Sequence, residues 1–191
     1  MAAPVPLDTD GYGGTYKVIG GAPALDFANL VSYRGTPRAH DWLVPSDNLA
    51  RWLRAVGLDV AVPDDIGGLI ELREALAAVF LAATVDSHEP DGVAFDVVAS
   101  TAARARSRQR LTWDTDTHRA RWCLPTPQLD DLLALDAARL LTDDVARDRL
   151  GACDDCRWLY LDTTRNHSRR WCDPADCGNR ARQRRHYHRQ R

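Results

Sequence analysis

A chain of 191 residues, 45% of them hydrophobic, can bury one ordinary core and carry a small appendage. No apolar run approaches the roughly 18 residues of a membrane-spanning helix, and the N-terminus lacks the basic and apolar regions of a secretory signal, so we expect a cytoplasmic protein with reduced thiols. The formal net charge of −2 hides a division: residues 153–191 hold ten arginines against five aspartates, a balance of +5, which leaves −7 on residues 1–152. Lys17 is the only lysine, so the distribution of basic residues says more than the choice of arginine. It points to an anion-binding tail on an acidic body.

Residues 1–15 contain Pro4, Pro6, Gly11, Gly13 and Gly14 and few large apolar groups, and read as a loose leader. Residues 16–145 read as a mainly helical body. Tyr16 to Ile19 suit a short strand broken by Gly20 and Gly21. Ala24 to Val31 leans towards helix, with Asp26 and Asn29 on one face as capping and turn residues or, less simply, as a small polar site. Ser46 is a good N-cap for a helix with an apolar stripe of Leu49, Trp52, Leu53 and Val56, ended by Gly57.

A second helix is predicted from Asp64 to about Ala83, with Ile66, Leu69, Ile70, Leu72, Leu76, Val79 and Phe80 facing the core. A third runs from Gly92 to about Arg106 and presents Val93, Phe95, Val97, Val98, Ala99, Ala102 and Ala103. Arg104, Arg106, Arg108 and Arg110 alternate at every second position, which scatters them around a helix; a solvated helix end is the simpler reading beside a second nucleic-acid patch. Leu111 to Trp113 and Arg121 to Leu124 flank a polar turn and form a hairpin, with Cys123 as a small buried hydrophobe. A last body helix spans Gln128 to Leu141. No repeat or long Gly/Ser linker is present, so the join at Thr142 to Gly151 is short and not freely flexible.

Residues 146–191 carry the clearest chemistry. Cys153 and Cys156 form a CxxC knuckle, fifteen residues lead to Cys172, and four more to Cys177. In a reducing compartment such clustered thiols suit one structural Zn2+ with four sulfur ligands, which closes the coordination sphere. Disulfides, His167 as a substitute ligand and a redox role for the knuckle are the weaker alternatives. The spacer, from Arg157 to Leu161, through a polar turn, to Arg169-Arg170-Trp171, looks like a hairpin returning the chain to the metal. Gly178 relaxes the chain beside the last ligand.

Beyond Cys177 come six arginines and two histidines with no carboxylate. On a helix Arg180 and Arg184 share one face and Arg182, Arg185 and Arg189 another, two rows able to straddle a groove and meet phosphates. Arg169 and Arg170 add to that surface, and Asn179 or an arginine is placed to read a base edge.

At Arg169-Arg170-Trp171-Cys172, followed by Cys177-Gly178-Asn179-Arg180, the chain resembles the CGNR zinc-finger family, whose members pair such a finger with an N-terminal stress-induced transcription regulator domain (ABATE-type). The likeness takes in Cys153-x-x-Cys156, the run ending at Asp162 and the tail with His186 and Tyr187. Gly20-Gly21-x-x-Ala24-Leu25-Asp26-Phe27-x-Asn29 and the helix around Trp52 resemble the regulator domain. Where the family commonly has lysine after the Cys-Gly-Asn-Arg run, this chain has Arg182, which keeps the charge. The resemblance implies zinc binding and a DNA-binding role in bacterial transcription.

The expected architecture is therefore α+β: a mainly helical body with short β-hairpins, then a small four-cysteine zinc finger made of a hairpin followed by a helix. The expected partner is DNA. The acidic body would dimerise as a homodimer or sense a signal while staying off the DNA, and no effector can be named. A zinc-stabilised RNA-binding or protein-interaction module is the alternative. An enzyme is not expected, because four thiolates leave no open metal position.

Overall fold

In the computed structural model, residues 2–85 and 88–189 are described, except for the side chains of His188 and Arg189. In chain order the elements are β1 (Pro4–Val5), β2 (Tyr16–Lys17), α1 (Pro23–Ala28), β3 (Val31–Ser32), β4 (His40–Asp41), α2 (Asn48–Val56), α3 (Gly67–Ala83) and α4 (Gly92–Ser107). There follow β5 (Arg110–Asp114), β6 (Arg119–Cys123), α5 (Leu129–Thr142), α6 (Asp144–Asp148), β7 (Leu150–Ala152), β8 (Leu159–Leu161) and α7 (Cys177–Arg189). Among the described residues the strands pair only with their neighbours, as four antiparallel two-stranded sheets. This is the expected α+β class.

The helical layer is built around α3, which packs on α1, α4 and α5, while α1 and α5 also touch. Leu69, Leu72, Leu76, Val79 and Phe80 are buried on α3, as their spacing requires. The helix begins at Gly67, three residues later than expected, and Asp65 accepts a hydrogen bond from the Gly67 N–H at 2.8 Å. On α4 the Asp91 side chain caps Ala94 N at 3.0 Å, and the buried positions are Val98, Thr101, Ala102 and Ala105. Val93 and Phe95, expected inside, are exposed. The α4 seam uses small residues that let it lie close to α3 and α5. Helix α2 is not capped by Ser46: its N-cap is Asp47, without a side-chain bond, and Gly57 at φ +72° ends it as expected.

Residues 2–15 are not loose. β1 pairs with β2, Leu7 is buried, and Asn48, itself fully buried, ties the segment down. The Asn48 side chain accepts from Asp8 N at 2.7 Å and donates to the carbonyls of Asp8 at 2.9 Å and Trp42 at 3.0 Å. Tyr12 stacks on His40 with centroids 4.1 Å apart.

Beneath this segment lies an aromatic cluster. The Tyr16 hydroxyl donates to Asp26 O at 2.6 Å and accepts from Trp52 Nε1 at 3.0 Å, and Trp158 of the finger meets Tyr16 edge-on at 5.3 Å. Body and finger thus share one continuous hydrophobic core.

Asp26 and Asn29 resolve as backbone clamps. The Asp26 carboxylate accepts from Ile19 N at 2.9 Å and Gly20 N at 2.7 Å, which fixes the turn before α1. Burial raises its carboxyl to about 6, against the lowering effect of those same N–H groups. Asn29, 1% exposed, accepts from Leu159 N at 2.7 Å and donates to Leu159 O at 2.9 Å, so a body residue completes the open edge of β8.

The β5–β6 hairpin forms as expected, but it stands away from the core. Leu111, Trp113 and Trp122 project on one of its faces and are 59%, 65% and 64% exposed. Cys123, expected to be buried, is only half-buried, with Sγ 3.3 Å from Thr112 Oγ1. Of the arginines leading into this hairpin, Arg104 pairs with Asp130 at 2.8 Å and Arg108 with the fully buried Asp131 at 2.9 Å. Half of that cluster is therefore spent on joining α4 to α5.

Candidate metal centre and basic helix

The knuckle Cys153–Cys156 is the turn of the β7–β8 hairpin. β8 pairs with β7, with Gly151 opposite Tyr160, and not with the returning segment 169–171 as the sequence suggests. The pairing needs Gly151, because a Cβ there would lie 2.6 Å from the Tyr160 ring. Within the knuckle Cys153 N donates to Trp158 O at 2.8 Å, and Arg157 takes the left-handed conformation, φ +63°.

The returning chain is held by side chains. Asp162 accepts from Thr164 N at 2.7 Å and Arg169 N at 2.8 Å, and so folds the 162–169 loop on itself. Cys177 is the first residue of α7. Gly178 serves packing: its Cβ position is 3.1 Å from Trp171 Cδ1.

These elements bring the sulfurs of Cys153, Cys156, Cys172 and Cys177 within 4.8 Å of one another, all buried and none in a disulfide. The Cys156–Cys172 and Cys172–Cys177 separations are 3.4 Å. Zn–S bonds of about 2.3 Å place tetrahedral sulfurs roughly 3.8 Å apart, so the cluster has the size of a Zn2+ site. Packed this closely, the thiols share protons: hydrogen bonds from the neighbouring sulfurs push Cys153 down, those from Cys153 and Cys177 push Cys156 up against the opposing effect of Cys172, and all three neighbours push Cys172 up. Only a cation lets all four be thiolates together. His167 is exposed and outside the cluster, and the half-buried Cys123 is outside it too. Arg180 Nη2 donates to Cys177 Sγ at 2.8 Å, a hydrogen bond that orients the ligand and offsets its charge.

The arginines singled out in the sequence divide into two groups. Arg169 is structural: it donates to the carbonyls of Trp171, Leu161, Ile19 and Cys172 and lies over the Tyr160 ring at 4.1 Å. Arg170 pairs with Asp154 at 2.7 Å. Arg180 and Arg184 converge on the buried Asp155 of the knuckle at 3.0 and 2.7 Å. One of the two expected arginine rows of α7 thus faces the finger, with buried Ala181 beside it, and fixes the helix.

The other row faces outward. Arg182 makes one long bond, 3.4 Å, to Pro174 O, and Asn179 and Arg185 are exposed without a partner among the described residues. Arg189 ends the helix, but its side chain lies outside the described residues.

Two contacts that the sequence did not announce join this finger to the body. Asn29 clamps β8, and Lys17 on β2 reaches Asp173 at 2.7 Å and Asp176 at 2.5 Å in the spacer between the last two cysteines. A lone lysine in an arginine-rich chain was the available signal for the second. Among the described residues no helix is long and apolar enough to cross a membrane.

Comparison with known families matches residues 21–144 to the ABATE family, described as "Putative stress-induced transcription regulator", and residues 149–190 to zf-CGNR, the CGNR zinc finger. No curated protein matches the chain. The finger match spans all four clustered cysteines, which together hold one structural zinc ion.

Proposed function

We propose, for a chain that belongs to the ABATE family and carries a CGNR zinc finger, that it is a cytoplasmic, non-enzymatic regulator of transcription that binds duplex DNA through the outer face of α7. The observation that carries this reading is the division of labour on that helix. Arg180 and Arg184 are consumed by Asp155, so α7 is held rigidly against the zinc centre, while Asn179, Arg182 and Arg185 are left pointing away from it. Cations presented from a fixed helix suit phosphates, and an amide one turn before them suits the edge of an adenine. The charge of −7 on residues 1–152 keeps the body off the polyanion and makes it the place for sensing or for pairing with a second copy.

The test is fluorescence anisotropy of a random-sequence duplex against the zinc-loaded chain between 50 and 300 mM salt, followed by selection of bound sequences from a random pool. Affinity that falls steeply with salt supports the reading. No binding at the lowest salt overturns it and returns the chain to the interaction-module alternative, for which the exposed Leu111, Trp113 and Trp122 face is the supporting feature.

A further inference from the structure

Two features of the body remain without a role: a hairpin with a bare apolar face, and a cleft. Leu111 lies opposite Trp122, and Trp113 opposite Ala120, so these four side chains share one face of the β5–β6 hairpin, and all are exposed. A two-stranded hairpin is marginally stable at best in water, and an uncovered face with two tryptophans marks an interaction surface. The charged residues of the strands, Arg110, Asp114, Arg119 and Arg121, take the reverse face. A single nucleic-acid strand stacks its bases on rings while neighbouring cations hold its phosphates, which requires both on one side. Here they lie on opposite sides, so the apolar face fits a protein surface.

The cleft, of about 590 Å3, lies between the N-terminal part of α3, the middle of α4 and the start of α5. Leu69, Leu72 and Leu129 give it an apolar floor. The charged groups in its wall are Asp65, Glu71, Asp130 and Arg104. The last two pair with each other at 2.8 Å, which leaves two carboxylates in excess. The Thr101 hydroxyl, on a residue only 8% exposed, has no hydrogen-bond partner among the described residues. Gly68 keeps one side open, since a Cβ there would meet nothing within 4 Å.

Hairpin and cleft complement each other. An apolar face meets an apolar floor, and indole N–H groups meet a free hydroxyl and carboxylates. Residues 110–123, with three arginines against two aspartates, meet a wall of the opposite sign. The two are also contiguous, because Arg104 of the wall stands six residues before β5 and Pro127 four residues after β6. None of the hairpin's apolar residues lines the cleft of its own chain. A two-fold axis beside the hairpin base instead lays each hairpin on the cleft of another copy.

We infer that the cleft between α3, α4 and α5 is the docking site for the β5–β6 hairpin of a second copy, in a reciprocal two-fold dimer. The exposed parts of Leu111, Trp113 and Trp122 offer roughly 400 Å2. With an equal area of cleft, and with both contacts made, the dimer buries about 1,600 Å2, the size of a stable interface. The proposal rests on the reading that the body pairs with a second copy. It is tested without DNA, so that dimerisation and DNA binding can each fail alone.

Sedimentation velocity of the zinc-loaded full chain between about 1 and 300 μM should show a concentration-dependent dimer and nothing larger, since interfaces of this size bind in the micromolar range or more tightly. Trp113→Ser combined with Trp122→Ser removes the anchors of the hairpin. Gly68→Phe fills the cleft from an exposed helix position with free space around it. Each variant should raise the dimer Kd at least about thirtyfold, the effect of losing a binding hot spot, at unchanged zinc content and circular dichroism. Mixing the two variants should restore association, because the hairpin of the Gly68→Phe chain still fits the open cleft of the tryptophan variant. That mixed dimer keeps one of the two contacts and is weaker than the unaltered one. A monomer at every concentration, a dimer that either variant leaves unchanged, or a mixture that stays monomeric overturns the proposal.

Discussion

Replacing Asn29 tests whether finger and body are one cooperative structure. The side chain bridges 130 residues of sequence to satisfy both backbone groups of Leu159, at 2.7 and 2.9 Å, in a setting where it is 1% exposed. Asn29→Ala leaves a buried N–H and a buried C=O without partners. At about 1–3 kcal/mol for each, the loss is roughly 2–6 kcal/mol, a large part of the 5–15 kcal/mol that typically holds a domain. Asn29→Leu restores the volume without the hydrogen bonds and should lose nearly as much, which separates the polar contribution from the cavity. The assay is urea unfolding of the zinc-loaded chain, followed in parallel by far-ultraviolet circular dichroism and by zinc release to a coloured chelator. The midpoint should fall in both variants with the two signals still coincident. A loss below about 1 kcal/mol in both variants, or zinc leaving in an earlier step while the helical signal is unchanged, refutes the shared core.

Other consequences can be measured separately. Cys172→Ser should bring metal content from about one zinc per chain to near zero and lower the thermal midpoint of the whole chain, because the cysteines share the core of Trp158 and Leu159. Asp26 gives a pH signature. Its folded value, about 6, lies above the ordinary carboxylate value of 3.8, so the native state binds the extra proton and this contribution to stability is complete below about pH 4 and lost as pH rises to about 6. The amount is roughly 3 kcal/mol. In Asp26→Asn that fall should vanish, and the difference between the two proteins across pH 4–6 removes the common effect of acid on zinc; parallel curves would contradict it. Arg185→Ala should weaken duplex binding evenly across sequences and flatten the salt slope by about one unit. Arg169→Ala should leave the slope as it is but lower the midpoint of unfolding, since its donors hold four carbonyls around the metal loop.

Local chemistry was legible in the sequence and long-range polar pairing was not. The four cysteines declare themselves because a zinc site needs ligand type and spacing, both of which are visible in a single strand of text. Helices α2, α3 and α5 follow from their stripes of Leu, Ile, Trp and Phe. The phase of α4 was misjudged because its inward face is made of Val98, Thr101, Ala102 and Ala105, residues too small to stand out beside Val93 and Phe95. The docked leader was missed because two-residue strands have no period, and the anchor is a polar side chain, Asn48, from elsewhere in the chain. Arg180 and Arg184 lie on the inner face of α7 and Arg182 and Arg185 on the outer one, as helical spacing predicts. Which row faces inward is decided by Asp155, twenty-five residues before Arg180, and no rule of helical spacing reaches that far.

The clamp between Asn29 and Leu159 also sets an order of events in the cell. Residues 16–33 emerge from the ribosome early, but their partners at 153–176 follow about 130 residues later, a delay of roughly 7 to 26 s at ordinary rates of synthesis. Until then Tyr16 and Trp42 wait without Trp158, and the edge that β8 will occupy is bare. Completion of the body therefore waits for the finger, and the packing of the earliest part of the chain becomes a late step, shared with the assembly of the zinc centre.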